Sequence, residues 1–276
     1  MRALIDSDIF TYSIGSAKTD EGHPLEWQFC AARLNMQLKA IRDAVEATSH
    51  SVYLTGKSNF RLSTATIKPY KGSRPAEKPH HYQRVRDYLV DFHKAEVVEG
   101  MEADDKLAIE QIRNREICEQ QALGGHSYTE TIICSIDKDL LMVPGWHYNW
   151  VKDKKTYVTP LDGSRAFYSQ LLTGDGVDNI PGLFGVGSSS AAVKFVQQCD
   201  SDDQMYRRVR KEYVSRFGSY WQQFLEENAC LLWMKRVEND PLGHENEARS
   251  LIREMEARHS AQNWSNSLQS SLTEML

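Results

Sequence analysis

The residues with the greatest capacity for chemistry are carboxylates that recur in short groups. Gly100-Met101-Glu102-Ala103-Asp104-Asp105 gathers three acids directly after the run Ala95-Glu96-Val97-Val98-Glu99. Read as a helix start, the stretch sets Glu102 and Asp105 one turn apart on one face, with Asp104 beside them. The helix dipole favours negative charge there, yet the acids repel one another and call for a cation. Taken alone, such a run is as often a solvated acidic first turn. Further groups argue for more: Asp6-Ser7-Asp8 follows Ala3-Leu4-Ile5, Asp137-Lys138-Asp139 follows the isoleucine-rich run from Thr131 to Ile136, and Asp175-Gly176-Val177-Asp178 follows Leu171-Leu172-Thr173-Gly174.

The elements that would position these acids follow from periodicity. Ala3–Ile5, Ser51–Thr55, the run into Gly100 and Thr131–Ile136 read as strands, and Tyr148–Val151 and Thr156–Val158 as two short final ones around a Lys152–Lys155 turn. Between them, apolar residues recur every three or four positions from Trp27 to Val45, from Val85 to Phe92, and from Ala108 to Ile117, where Gly124-Gly125 ends the helix. Thr11 to Pro24 reads as a polar connection, and the stretch from 60 to 76, with Pro69 and Pro75, as a loop. The order predicts an α/β fold with a mostly parallel central sheet of about five strands flanked by helices. In such a sheet the carboxyl ends of the strands share one edge, where ligands bind. Acidic pairs recurring at that edge would form a metal-binding bowl.

The chain has 276 residues, 41% of them hydrophobic, enough for one full core and a helical appendage. A charge at Asp6 comes too early for a signal peptide, and no apolar run has the length of a membrane span, so a soluble, cytoplasmic protein is expected. Cys30, Cys118, Cys134, Cys199 and Cys230 are widely spaced and read as buried free thiols rather than a zinc or disulfide framework.

A net charge of −5 by itself argues against a nucleic-acid binder, but its distribution is uneven. From Lys57 to Lys94 cations dominate and Tyr70, His80, His81, Tyr82 and Tyr88 lie among them, as on a surface that tracks phosphates and stacks bases. Arg84 and Arg86 individually also fit a solvated helix face. From Gly163 the texture is helical, with helices expected around Met205–Phe217, Trp221–Leu232 and Glu245–Arg258. Within it, the glycines from Pro181 to Gly187 lead through Ser188-Ser189-Ser190 into Ala191-Ala192-Val193, so bare backbone N–H groups precede a helix and suit a phosphate. Ser188 stands where a nucleotide P-loop needs lysine, and the dinucleotide fingerprint lacks its third glycine.

As an ordered set, Leu4-Ile5-Asp6-Ser7-Asp8, Tyr70-Lys71-Gly72-Ser73-Arg74, Glu102-Ala103-Asp104-Asp105, Asp137-Lys138-Asp139-Leu140-Leu141 and Gly174-Asp175-Gly176-Val177-Asp178-Asn179-Ile180-Pro181-Gly182 resemble the blocks of the structure-specific 5′→3′ exonuclease and flap endonuclease family, with its PIN-like nuclease fold. The likeness is strongest to the small stand-alone exonucleases of tailed bacteriophages and covers about residues 1–200. It implies a nuclease core over 1–162 with a basic arch-like segment at 68–94, a helical region over 163–260 with a helix-hairpin-helix-like DNA anchor at 180–196, and a frayed tail over 261–276.

The resemblance assigns Asp6, Glu102, Asp104 and Asp105 to a first metal cluster and Asp137, Asp139, Asp175 and Asp178 to a second. It turns Lys71 and Arg74 toward the scissile phosphate, makes Tyr70 a stacking residue, and gives Gly182, Gly185, Gly187, Ser188, Ser189 and Ser190 to the duplex anchor, which in the family can hold K⁺. Thr55 and Ser189 depart from the pattern, standing where an acid and a lysine are usual. Asp8 stays open between a ligand, a residue supporting the ligands, and a helix cap.

The implied activity is metal-dependent hydrolysis of DNA phosphodiesters at 5′ ends or branched junctions by a monomer, in the host cytoplasm if phage-encoded. Hard carboxylate oxygens suit Mg²⁺ or Mn²⁺, and two such ions about 4 Å apart serve phosphodiester cleavage without a side-chain nucleophile. A related ribonuclease and a non-catalytic DNA-end binder are the alternatives. A calcium module is disfavoured, because neither Asp137-Lys138-Asp139 nor Asp175-Gly176-Val177-Asp178 continues into calcium-loop spacing.

Overall fold

A computed structural model of the chain describes residues 1–75, 77–123, 129–238 and 246–274, the side chains of 246 and 263–274 excepted. It divides into two units: Met1–Phe60, Arg74–Gly163 and Met234–Glu238 form the first, and Arg61–Ser73, Ser164–Trp233 and Asn239–Leu276 the second. The basic segment expected over 68–94 is therefore shared between the units rather than belonging to one.

In chain order, unit one contains β1 (Arg2–Asp6), α1 (Asp8–Ser13), α2 (Trp27–Ala44), β2 (Ser49–Thr55), α4 (Tyr82–His93), β3 (Glu96–Val98), α5 (Ala103–Leu123), β4 (Thr131–Cys134), β5 (Gly145–Asn149) and β6 (Lys154–Val158). The short helix α3 (Arg61–Thr64) belongs to unit two. The six strands form one sheet in the order β3-β2-β1-β4-β5-β6, parallel throughout except for β6 against β5. Each of the six strands overlaps a stretch read as one from the sequence, and α1 replaces the start of the expected polar connection. Gly124-Gly125, expected to end α5, lies outside the described residues.

Both faces of the parallel strands are covered, which is why they read as continuous apolar runs. Ala3 and Ile5 of β1, Val52 and Leu54 of β2, and Ile132 and Cys134 of β4 join Cys30, Leu34, Leu38 and Ile41 of α2 and Val85 and Leu89 of α4 in one core. Leu4 and Ile133, of opposite parity in their strands, are equally buried. On this alternation they turn to the other face, and α5 packs against β1 and β4. All five cysteines are buried free thiols, and burial pushes the Cys134 thiol up to about 12.

Unit two is helical: α6 starts at Pro160 and continues to Thr173, followed by α7 (Ala191–Gln198), α8 (Asp202–Phe217), α9 (Trp221–Leu232) and α10 (Asn246–Glu274). Phe167, Leu171, Met205, Val209, Leu225, Ala229 and Ile252 are buried in it. Tyr213 is held at its polar end as well, donating to the Leu171 carbonyl at 2.6 Å and accepting from Asn228 Nδ2 at 2.8 Å. Ser190 and Ser201 cap α7 and α8 through their hydroxyl oxygens. The tail expected to fray from 261 is helical through Glu274, and 275–276 lie outside the described residues. No described helix is long and apolar enough to cross a membrane.

Candidate active site

The strand order explains where the acids of unit one collect. From β1 the chain moves to β2 and β3 on one side, then α5 carries it back to β4 on the other, so the order reverses between β1 and β4. Ligands of open α/β sheets bind outside the carboxyl ends of the strands at such a switch point. Asp6 ends β1 there, and Ser135 follows β4.

A line of hydrogen bonds runs along this edge. Asp139 N–H donates to Asp137 Oδ1 at 2.8 Å, and Asp137 N–H to Ser135 Oγ at 3.0 Å. The Ser135 hydroxyl donates to Asp6 Oδ2 at 2.8 Å, crossing the switch point, and Asp8 N–H donates to Asp6 Oδ1 at 3.2 Å. The Asp8 carboxylate accepts from Thr55 N–H at 3.1 Å, and Thr55 Oγ1 accepts from Ala103 N–H at 2.9 Å, capping α5 from the end of β2. Acids from separate parts of the chain are thus tied into one row by backbone and hydroxyl groups.

Burial raises the Asp6 carboxyl from 3.8 to about 7, with the charges of Asp8 and Asp137 adding to the effect and Ser135 opposing it. The Asp8 carboxyl is raised mainly by burial, against the Thr55 hydrogen bonds and the Arg86 charge. Arg86 stands 3.5 Å from Asp8 and donates to the Thr55 carbonyl at 2.7 Å. Asp8 therefore links the end of β2 to α4 through Thr55 and Arg86.

Glu102 and Asp105 are buried at the start of α5, with Asp104 partly exposed between them. Asp105 is wholly buried, and both its oxygens accept backbone N–H groups: Oδ2 from Glu102 at 3.1 Å and Oδ1 from Lys235 at 3.0 Å. It holds the turn that presents Glu102 and Asp104, and ties residues 234–238 to unit one. Among the described residues no three His, Cys, Asp or Glu side chains stand in a geometry that already holds a metal ion.

In unit two, Asp175 makes a turn of its own residues: its Oδ1 accepts from Val177 N–H at 2.7 Å and Asp178 N–H at 3.3 Å, while its backbone pairs with Ile180. Asp178 accepts the Tyr70 hydroxyl at 2.8 Å and lies 3.8 Å from the Lys71 ammonium. Tyr70 is only 6% exposed, with Lys71 Nζ 5.0 Å above its ring, so it offers no open face for stacking a base. Gly182 is buried with φ +54°, and a Cβ there would collide with the backbone of Gly174, so the fold itself requires glycine at this position. Gly185, Gly187, Ser188 and Ser189 are exposed between α6 and α7.

The basic run is also less uniform than its sequence. Arg61, 1% exposed, donates to the Leu231 and Trp233 carbonyls, Arg84 lies 4.7 Å over Trp27, and Lys78 donates to Tyr12 at 2.8 Å. Lys57, Lys68 and Arg74 remain exposed. Sequence reasoning missed Ser135, Arg86 and the capping use of Thr55. Ser135 lay inside the expected strand Thr131–Ile136, whereas β4 ends at Cys134 and frees its hydroxyl for Asp6 at the end of β1.

No family model matches the chain. DNA polymerase I of Rhizobium leguminosarum is 28% identical over 200 residues, which is 66% of this chain and 19% of that protein. The chain thus spans well under two thirds of the length of this relative. Similar solved structures include a bacteriophage T5 protein co-crystallised with metal ions, at 15% identity and a TM-score of 0.47, covering 92% of this chain and 99% of that one. A bacteriophage T5 flap endonuclease in a pseudo-enzyme–product complex with DNA and metal ions has 14% identity and a TM-score of 0.46, covering 84% and 99%. A T5 5′-exonuclease with bound zinc has 16% identity and a TM-score of 0.47, covering 92% and 99%.

Proposed function

We propose that the chain is a metal-dependent nuclease that hydrolyses DNA phosphodiesters as a 5′→3′ exonuclease and flap endonuclease. The observation that carries this reading is the row of carboxylates at the switch point of the sheet, with Asp6 raised to about 7 by burial and by neighbouring acids. Buried acids that cannot all ionise together are what a hard divalent cation relieves. The donor set of unit one, all oxygen and rich in carboxylate, fits Mg²⁺ or Mn²⁺ better than a soft or redox metal. The similarity to a DNA polymerase supports DNA as the polymer.

Asp6, Glu102, Asp104, Asp137 and Asp139 are assigned as the residues that hold the divalent ions, with Asp105 fixing the turn behind them. Asp175 and Asp178 of unit two are assigned the same chemistry on the resemblance alone. Bound ions would supply an activated water and a counter-charge for the phosphate, the chemistry of two-metal hydrolysis. Lys71 and Arg74 offset charge that grows on the phosphate, a task for fixed cations rather than for proton transfer. Gly185, Gly187, Ser188, Ser189 and Ser190 present backbone and hydroxyl groups to a duplex phosphate, with K⁺ as an accessory ion. The protein acts as a monomer on 5′ ends and branched junctions.

Cleavage of an end-labelled branched duplex, with Mg²⁺ and with EDTA, tests the activity. Cleavage that requires the metal supports it, and none under either condition leaves a DNA-end binder. An RNA duplex cut faster than DNA would make the chain a ribonuclease. Duplexes blocked at 5′ or at 3′ ends in separate substrates test polarity: degradation should stop only when the 5′ ends are blocked.

A further inference from the structure

The segment that carries Lys71 is anchored within unit two at two places. At the first, the Glu227 carboxylate of α9, 6% exposed, accepts through Oε1 from the N–H of Thr66 and of Ile67, each at 2.8 Å, and through Oε2 from the Thr66 hydroxyl. At the second, Lys71 N–H donates to the Asp178 carbonyl at 2.9 Å, Asn179 Nδ2 to the Pro69 carbonyl at 2.8 Å, and the Tyr70 hydroxyl to the Asp178 carboxylate at 2.8 Å. Only Lys68 separates Ile67 from Pro69, whose ring fixes φ, so the anchors are joined by a short and stiff piece of chain.

Lys71 itself has φ +54°. A side chain in this left-handed region is strained and persists where its surroundings over-determine it. The Lys71 side chain keeps 26% of its surface exposed, so burial in the core is not what holds it. The strain falls on the residue of the segment assigned above to the phosphate.

We infer that Glu227 is a positioning residue for catalysis: by fixing Thr66 and Ile67 it lets the second anchor hold Lys71 in its strained conformation, with the ammonium set for the phosphate. The inference rests on the role given to Lys71 above. A buried carboxylate is the device suited to this, because its charge strengthens all three bonds, whereas glutamine keeps them only as neutral ones and only if the Thr66 hydroxyl reverses to accept from its NH₂.

The test is single-turnover cleavage of a branched DNA duplex by the full chain with Mg²⁺, comparing wild type, Glu227→Gln, Lys71→Ala and the double variant, with duplex affinity measured alongside. Glu227→Gln should slow cleavage about tenfold or more while leaving affinity nearly unchanged. In the Lys71→Ala background the same change should slow it no further, because both act through one group. Equal slowing in both backgrounds would overturn the inference, since Glu227 would then support the fold and not Lys71. A wild-type rate for Lys71→Ala would overturn the assignment of Lys71 and the inference with it, a result legible from that variant alone. Should Glu227→Gln fail to fold, Thr66→Val removes only the hydroxyl contact. It should give a smaller slowing that likewise vanishes in the Lys71→Ala background, and its persistence there would count against the inference.

Discussion

The acids of unit one and those of unit two solve the same electrostatic problem differently. Asp6, Asp8 and Asp105 are fastened by hydrogen bonds that cross from one element to another, between β1, β2, β4, α5 and residues 234–238. Asp175 instead closes a turn on N–H groups two and three residues onward, and Gly176 and Val177 in that turn are exposed. Burial therefore raises the Asp6 and Asp8 carboxyls, because desolvation penalises charge wherever fixed donors do not fully replace water. The lesson is that acids at one edge differ in how they are held: burial pushes Asp6 toward its neutral form, whereas both Asp105 oxygens are engaged by backbone donors.

If unit one is the catalytic edge, the largest effects should come from acids assigned above to the divalent ions. Glu102→Gln or Asp139→Asn is expected to lower turnover about a thousandfold or more with little change in duplex affinity. Near-normal cleavage by either variant at saturating Mg²⁺ would remove the metal assignment.

The contrast between Asp6 and Asp105 can be measured directly without divalent ions. Asp105→Asn should destabilise the fold by about 1–3 kcal/mol, since the amide opposes a buried backbone donor. This reverses the simplest expectation from charge repulsion, under which losing any acid of the row would stabilise it. Asp6 behaves oppositely. Its folded value of about 7 stands above the ordinary 3.8, so folding favours the protonated group. That contribution is complete below about pH 4 and is lost as pH rises through about 7. In EDTA, Asp6→Asn should therefore melt higher than wild type at pH 8 and no higher at pH 4. Parallel melting curves at both pH values would show that burial does not shift Asp6.

A smaller effect is expected in unit two. A Cβ at Gly187 meets nothing within 4 Å, and its φ lies outside the left-handed region, so Gly187→Val should fold normally. It should weaken duplex binding several-fold by blocking close approach to a phosphate. Gly185→Val is a poorer probe, because φ +74° there adds backbone strain to any loss of contact. Unchanged binding by Gly187→Val would place the anchor elsewhere. Smallest of all, Thr55→Asp keeps an acceptor for Ala103 N–H and adds a charge near Asp8. It should modestly lower the Mg²⁺ concentration for half-maximal rate, and an unchanged requirement would mean that Asp8 already supplies that charge.

Much of this was legible in the chain itself. The strands that empty into acids, the amphipathic α2 and α4 and the glycine-serine stretch before α7 are local patterns, set by side-chain periodicity and by which residues tolerate turns. Because a buried parallel strand must be apolar on both faces, runs such as Thr131–Cys134 announce themselves without partners. What only the tertiary structure decided was how each polar group is used. Nothing in Tyr70, Arg61 or Gly182 as residue types distinguishes a surface ligand contact from a buried strut. The distinction arises from which distant carbonyl, carboxylate or backbone atom packs against them: Asp178 for Tyr70, the end of α9 for Arg61, Gly174 for Gly182. The same holds for Asp6 and Asp105, alike in sequence as acids beside apolar segments. Periodicity is a property of neighbours along the chain, whereas desolvation and hydrogen-bond satisfaction depend on neighbours in space.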